Sequence, residues 1–263
     1  MLNVCFWNYA DGNYPFMNAA LIKSLRKFDI NYDFYNLSPL EVKGAKNIKI
    51  TLNNKEKENY LFKFNLLKDV MLRMPHDYFI FLDADSYCVR HVDVTQIIQD
   101  SPVHSFLESN CNSNKCLRPD WWGCPLNKYI SLMGQRGVIS QNIYNVNAGF
   151  WGVHKKAILQ FYNLAMEFWF YCANSGFKFT EEAPLAYATH MMCGDAEKHV
   201  QRKWTNIWAS DWTGNFKNKL PEDVEWQFED YMTTEKYTVN PAIVHAMRSK
   251  DALVAEGKHY DVF

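Results

Sequence analysis

The sequence carries almost no excess of either charge, since 28 Lys and Arg stand against 29 Asp and Glu. No global field therefore draws it to nucleic acid or anionic lipid, which leaves a local basic groove as the electrostatic route to such a partner. It also lacks an apolar run fit for a membrane: the longest, Ala157 to Ala173, is interrupted by Gln160, Asn163 and Glu167 and reads as an amphipathic helix. Its seven Cys are odd in number and irregularly spaced, and the cluster Cys111, Cys116 and Cys124 does not have the spacing of zinc-binding pairs. The start has no basic stretch followed by an apolar stretch and a cleavage site, so a reducing, cytoplasmic setting is expected. Repeats, low-complexity tracts and convincing internal boundaries are absent too. Residues 1–263 are accordingly read as one α/β domain, with a nucleotide-binding half at 1–100 and a half for donor sugar and acceptor at 101–263. Aromatic residues, by contrast, are abundant at 16%, with nine Trp. Such rings fill a core or stack on sugars.

LNVCFW has the composition of a strand and runs into the polar stretch Asn8 to Asn13. Met17, Ala20, Leu21, Ser24, Leu25 and Phe28 then recur at helical spacing, and Ile30 to Leu37 alternates as a second strand. After a charged, Asn-rich connector at Asn53 to Asn59, apolar residues from Leu61 to Met74 mark a second helix stopped by Pro75. YFIFL follows, a run apolar on both faces, as expected of a strand central to a sheet covered by helices on both sides. Beyond residue 100 the pattern loosens. SNCNSNKCLRPDWWGCPLNKY reads as a long binding loop or lid, NAGFWGV as a strand, Ile158 to Cys172 as a helix with a continuous apolar stripe, and Glu181 to Met192 as a short helix opening with acids. From Lys203 onward the pattern supports no assignment.

YFIFL delivers Asp83-Ala84-Asp85 at its carboxyl end, the place where ligands of open α/β sheets bind. Two carboxylates one residue apart can hold Mn²⁺ or Mg²⁺ through oxygen while leaving positions for diphosphate oxygens. An isolated Asp-x-Asp triplet is also a common solvated turn, but five apolar residues before it and SYCVRHVD after it favour a buried setting. Arg118, Asp120, Trp121 and Trp122 suggest an acceptor surface, because sugar C–H faces pack on indole. Adjacent Trp residues equally serve to anchor a loop to a core.

These residues resemble the GT-A glycosyltransferases, within them the retaining group that includes glycogenin and bacterial galactosyltransferases, over roughly residues 1 to 195. The resemblance implies a Rossmann-like mixed sheet flanked by helices, and transfer of a hexose or pentose from a nucleotide diphosphate sugar, a UDP-sugar, with retention. It places Asn8 and Tyr14 on the nucleotide, Tyr14 by stacking on uracil, and Lys63 at the start of the helix before the metal strand. It further implies Asp83 and Asp85 on the metal, Asn147-Ala148-Gly149 on the donor sugar, and Glu181 or Glu182 at the sugar's far face, spacing slightly favouring Glu181. His245 would be the third metal ligand and Lys250 a phosphate contact, although the family's Gly after that His is absent. The acceptor stays open: a glycan, a lipid-linked sugar, a protein or another hydroxyl compound, near-zero net charge speaking against nucleic acid. Two other functions compete. A sugar-nucleotide-forming nucleotidyltransferase would need a Gly-rich basic loop after its first strand, where YADGNYPF has one Gly and no Lys or Arg. A non-catalytic carbohydrate-binding module would need the aromatics but neither metal nor nucleotide.

Overall fold

Every side chain of the first strand, Val4–Tyr9 (β1), is buried, which places it in the middle of a sheet covered on both faces. The computed structural model describes residues 2–98, 101–111, 116–139, 143–194 and 207–259. After β1 come helix Tyr14–Lys27 (α1), strands Asp33–Ser38 (β2) and Lys46–Lys49 (β3), helix Phe62–Asp69 (α2), strands Tyr78–Leu82 (β4) and Ser86–Cys88 (β5), and the short helix Thr95–Ile98 (α3). Strands Val103–Asn110 (β6), Asp120–Trp121 (β7) and Cys124–Pro125 (β8) precede helix Leu126–Gln135 (α4), strand Tyr144–His154 (β9) and helices Ile158–Asn174 (α5) and Glu182–Cys193 (α6). Strands Trp208–Ser210 (β10), Trp226–Glu229 (β11), Lys236–Val239 (β12) and Ile243–His245 (β13) and helix Lys250–Lys258 (α7) complete the described elements.

The central sheet has six strands in the order β3-β2-β1-β4-β9-β6. It is mixed: β1 is parallel to β2 and β4, and β9 runs antiparallel to β4 and β6. Strand order reverses between β1 and β4, so their carboxyl ends open the crevice in which ligands of such sheets bind. One face packs Trp7, Phe81 and Trp151 against Phe64 of α2 and Phe161 of α5. The other packs Phe6, Ile80 and Phe150 against Leu21, Ile22 and Leu25 of α1. Most of the aromatic excess is therefore core. Trp7 meets Phe81 edge to face at 5.0 Å, and Phe81 stacks on Trp151 at 5.4 Å.

The expected helix from Leu61 to Met74 ends earlier than its apolar spacing suggests. α2 stops at Asp69, and a 3-10 turn at Met71–Arg73 carries the chain towards Pro75. The junction is Val70, whose β-branched side chain is a weak helix former. Much of the expected lid is likewise regular structure: β6 runs to Asn110, β7 and β8 form a hairpin, and α4 begins at Leu126. Residues 112–115 of that stretch, and 203–206 at the start of the unassigned tail, lie outside the described residues. β6 escaped the hydropathy pattern because its buried positions include Ser105 and Ser109, satisfied by Thr189 and Asp230. No described helix is long and apolar enough to cross a membrane.

Helix α7 is held tightly against α1. A Cβ on Gly257 would lie 1.7 Å from the carbonyl oxygen of Phe16, so the two backbones touch where side chains would otherwise separate them. Gly257→Ala must push α7 outward, and because α7 begins with Lys250, it also displaces that ammonium. We expect a loss of at least ~1–3 kcal/mol, seen as a fall of several degrees in a thermal melt. An unchanged melting temperature would contradict this packing.

Candidate metal site

β4 is buried throughout and ends at Leu82. The chain then turns, the Asp83 amide donating to the Gly149 carbonyl (2.9 Å) and the Ser86 amide to the Asp83 carbonyl (3.1 Å). It continues as β5, which pairs antiparallel with β13 in a register that sets His245 opposite Ser86. The Ala246 amide closes the junction on the Asp85 carbonyl at 2.8 Å. A residue 160 positions downstream is thus placed beside Asp85 by three rungs of pairing.

The result is a cluster in which one ligand atom from each of Asp83, Asp85 and His245 lies within 4.8 Å of the others. His245 Nε2 is 3.1 Å from Asp85 Oδ1 and 3.7 Å from Asp83 Oδ2. Its ring is oriented from behind: it stacks on Trp208 at 5.7 Å, and Nδ1 lies 3.5 Å from Ser210 Oγ. Gly149 makes room for it, since a Cβ there would sit 3.1 Å from His245 Nδ1 and 3.0 Å from Asn147 Oδ1. Two carboxylates and an imidazole on a fixed frame form a group able to hold a divalent metal ion.

Two lysines flank the cluster. Lys63, buried in α2, reaches Asp83 Oδ1 (3.1 Å) and Glu181 Oε1 (2.8 Å), with its ammonium 4.6 Å from the centre of the Phe81 ring. Lys250 donates to Asp85 Oδ2 and to the Tyr14 hydroxyl, each at 2.9 Å. Burial works against both ammonium groups, but the adjacent carboxylates outweigh it and hold both pKa values above the ordinary lysine value. Burial would likewise raise Asp85, yet His245 and Lys250 overcome it and keep its carboxyl well below the usual range. His245 is raised, burial being outweighed by Asp85 and Asp83.

The two glutamates divide. Glu181 is tied to Lys63, whereas Glu182, the first residue of α6, accepts from the Trp122 indole N–H at 2.6 Å and the Ala148 amide at 3.4 Å. Burial, then the charges of Glu181 and Glu108, push the Glu182 carboxyl well above the glutamate range, despite those two donors. Glu181 is raised by burial, with Lys63 opposing.

The Asp83–Asp85–His245 cluster, both lysines and both glutamates line one cleft of about 360 Å³. Of the residues expected from sequence, Tyr14, Lys63, Asp83, Asp85, Asn147, Ala148, Gly149, Glu181, Glu182, His245, Lys250 and Trp122 are on its wall. Asn8 is not. Its side chain is fully buried and exchanges hydrogen bonds with Asn18, which donates to Asn36, which donates to Asn47, an amide chain crossing β1, β2 and β3. Asn8 also donates to the Leu82 carbonyl at 3.2 Å, so it braces the end of β4 from inside the sheet. The acceptor group separates as well. Trp121 is a core ring against Tyr129 and Phe179, Asp120 is exposed on β7, and Arg118 lies over the Tyr231 ring and donates to its carbonyl; none of the three lines the cleft.

The cleft wall adds residues without an expected role, among them Tyr9, Asp11, Lys57, Tyr60 and Phe62. Lys57 pairs with Asp11 at 2.7 Å across 46 positions of sequence, and no local pattern announces such a contact. The cluster draws on both parts of the chain divided at residue 100, Asp83 and Asp85 from the first and His245 and Lys250 from the second. Neither the protein-family models nor the curated proteins contain a match to this chain.

Proposed function

We propose that the chain is a metal-dependent glycosyltransferase of the GT-A type, one catalytic domain that moves a hexose or pentose from a UDP-sugar to a hydroxyl acceptor with retention. The observation that carries this reading is the Asp83–Asp85–His245 cluster at the β1/β4 crevice, inside a cleft that also holds Lys63, Lys250 and Glu182. When bound there, Mn²⁺ or Mg²⁺ supplies Lewis-acid stabilisation of the departing diphosphate. Lys250 moves from Asp85 onto a phosphate oxygen, and Lys63 supplies a second buried positive charge against the negative charge that develops as the glycosidic bond breaks. The Tyr14 ring, partly exposed beneath Lys250, offers a face for the uracil. Asn147, Ala148 and Gly149 border the sugar, and Glu182 faces the reacting carbon as nucleophile or as stabiliser of an oxocarbenium-like transition state. Glu181 positions Lys63. This reverses the slight preference for Glu181 that spacing suggests, because a carboxylate held by a buried ammonium is less available to a sugar than one held by two N–H donors.

A nucleotidyltransferase is disfavoured by the loop after β1, where Ala10 to Asn13 carries no basic side chain to cradle a triphosphate. The test of the proposal is a screen of nucleotide sugars for slow hydrolysis with Mn²⁺ present, water serving as acceptor. At least one UDP-sugar is expected to release UDP, and EDTA is expected to stop it. Turnover of none would overturn the reading.

A further inference from the structure

Two rings on the cleft wall stand on backbone that an L-residue adopts at a cost. Trp122 has φ 52° and Tyr60 φ 58°, and both side chains are 53% exposed. Trp122 and Gly123 (φ 73°) are the central pair of the β7–β8 hairpin, a turn whose first central position favours Asn, Asp or Gly. The left-handed conformation of a Trp there is not offset by burial, because its neighbour Trp121 does the packing. Instead the indole projects into the cleft and is fixed by its hydrogen bond to Glu182. Strain held at a ligand-facing position is a mark of function.

We propose that Trp122 is the stacking platform for the acceptor, and that the acceptor is an uncharged saccharide ring. This rests on the glycosyltransferase reading above. An indole face matches the C–H face of a pyranose, and the polar groups beside it suit hydroxyls: the Glu182 carboxyl accepts or donates, and Asn147, linked to Glu108 at 3.1 Å, presents an amide. A phosphorylated acceptor, whether nucleic acid or lipid headgroup, would bring anionic oxygens against the Glu181 and Glu182 carboxyl groups. The three lysines of the cleft wall are each paired with carboxylates already, Lys57 with Asp11, Lys63 with Asp83 and Glu181, and Lys250 with Asp85, the last being the one the donor diphosphate draws on. Tyr60, its ring 5.8 Å from the Lys63 ammonium, supplies a second aromatic surface to the same cleft.

The test uses the full chain with Mn²⁺, a nucleotide sugar that it hydrolyses, and a panel of methyl hexosides, lactose, maltose and cellobiose, with products detected by mass. Wild type is expected to glycosylate at least one of these. Trp122→Ala should raise the KM for that sugar by about tenfold or more, with a smaller change in the donor KM, while Trp122→Phe, which keeps a ring but not the N–H, stays within about threefold of wild type. Three results overturn the proposal: an unchanged acceptor KM in Trp122→Ala, an equal loss in both variants, or a wild type that cleaves donor yet glycosylates none of these sugars. A wild type that cleaves no nucleotide sugar instead removes the parent reading, before any variant is compared.

Discussion

Asp83→Asn is expected to abolish the ion-dependent protection of the protein by UDP in a thermal melt. Ligand at about 100 times its Kd stabilises the folded state by ~2.7 kcal/mol, a shift of several degrees for a chain of this size. If the ion bridges Asp83 and Asp85 to the diphosphate, removing one carboxylate charge removes most of that gain, and the melts with and without Mn²⁺ coincide. Asp85→Asn should have the same effect, with an added loss of intrinsic stability, because Asp85 is the buried partner of both His245 and Lys250. Breaking a buried pair from one side typically costs ~3–5 kcal/mol. Asp83, a quarter exposed at its side chain, is therefore the cleaner probe. Unchanged protection in Asp83→Asn would remove the basis of the metal assignment.

Glu182→Gln should leave UDP binding intact while lowering turnover by on the order of 10²-fold or more, the size of effect seen when one stabilising group is removed from a reacting centre. The amide keeps the length of the side chain and has one acceptor oxygen, which can keep the 2.6 Å bond from the Trp122 indole and so hold the hairpin, while its NH2 takes the place of the oxygen in the longer 3.4 Å contact with the Ala148 amide. What it loses is the capacity to become an anion facing the sugar. Glu181→Gln should act differently. It frees one contact of the buried Lys63 ammonium, leaving Asp83 as its carboxylate partner, and so is expected to weaken metal and UDP binding together with turnover. Loss of UDP binding in Glu182→Gln would assign that residue a structural role. Equilibrium binding and single-turnover hydrolysis on the two variants separate these outcomes.

How much of this was legible beforehand depended on whether the signal was local. YFIFL followed by Asp-Ala-Asp states a buried strand and the carboxylates at its end in eight consecutive residues, and α1 and α5 announce themselves by apolar spacing. His245 and Lys250 could be named from the resemblance, but nothing local says that β13 pairs with β5, the contact that brings them to Asp85. Asn8, expected on the nucleotide, lies inside the sheet and off the cleft wall. A polar residue at the end of a strand looks like a ligand contact, and the amide chain that Asn8 joins through Asn18, on to Asn36 and Asn47, is spread over three further elements. In the pair Trp121-Trp122 strand alternation turns the first ring into the core, and the hairpin turn aims the second at the cleft.

Calorimetric titration of UDP into the wild-type chain, once with Mn²⁺ and once with EDTA, tests the central claim most directly. The account predicts saturable binding with the ion, weakened at least about tenfold by the chelator. Equal affinity in the two titrations would contradict it.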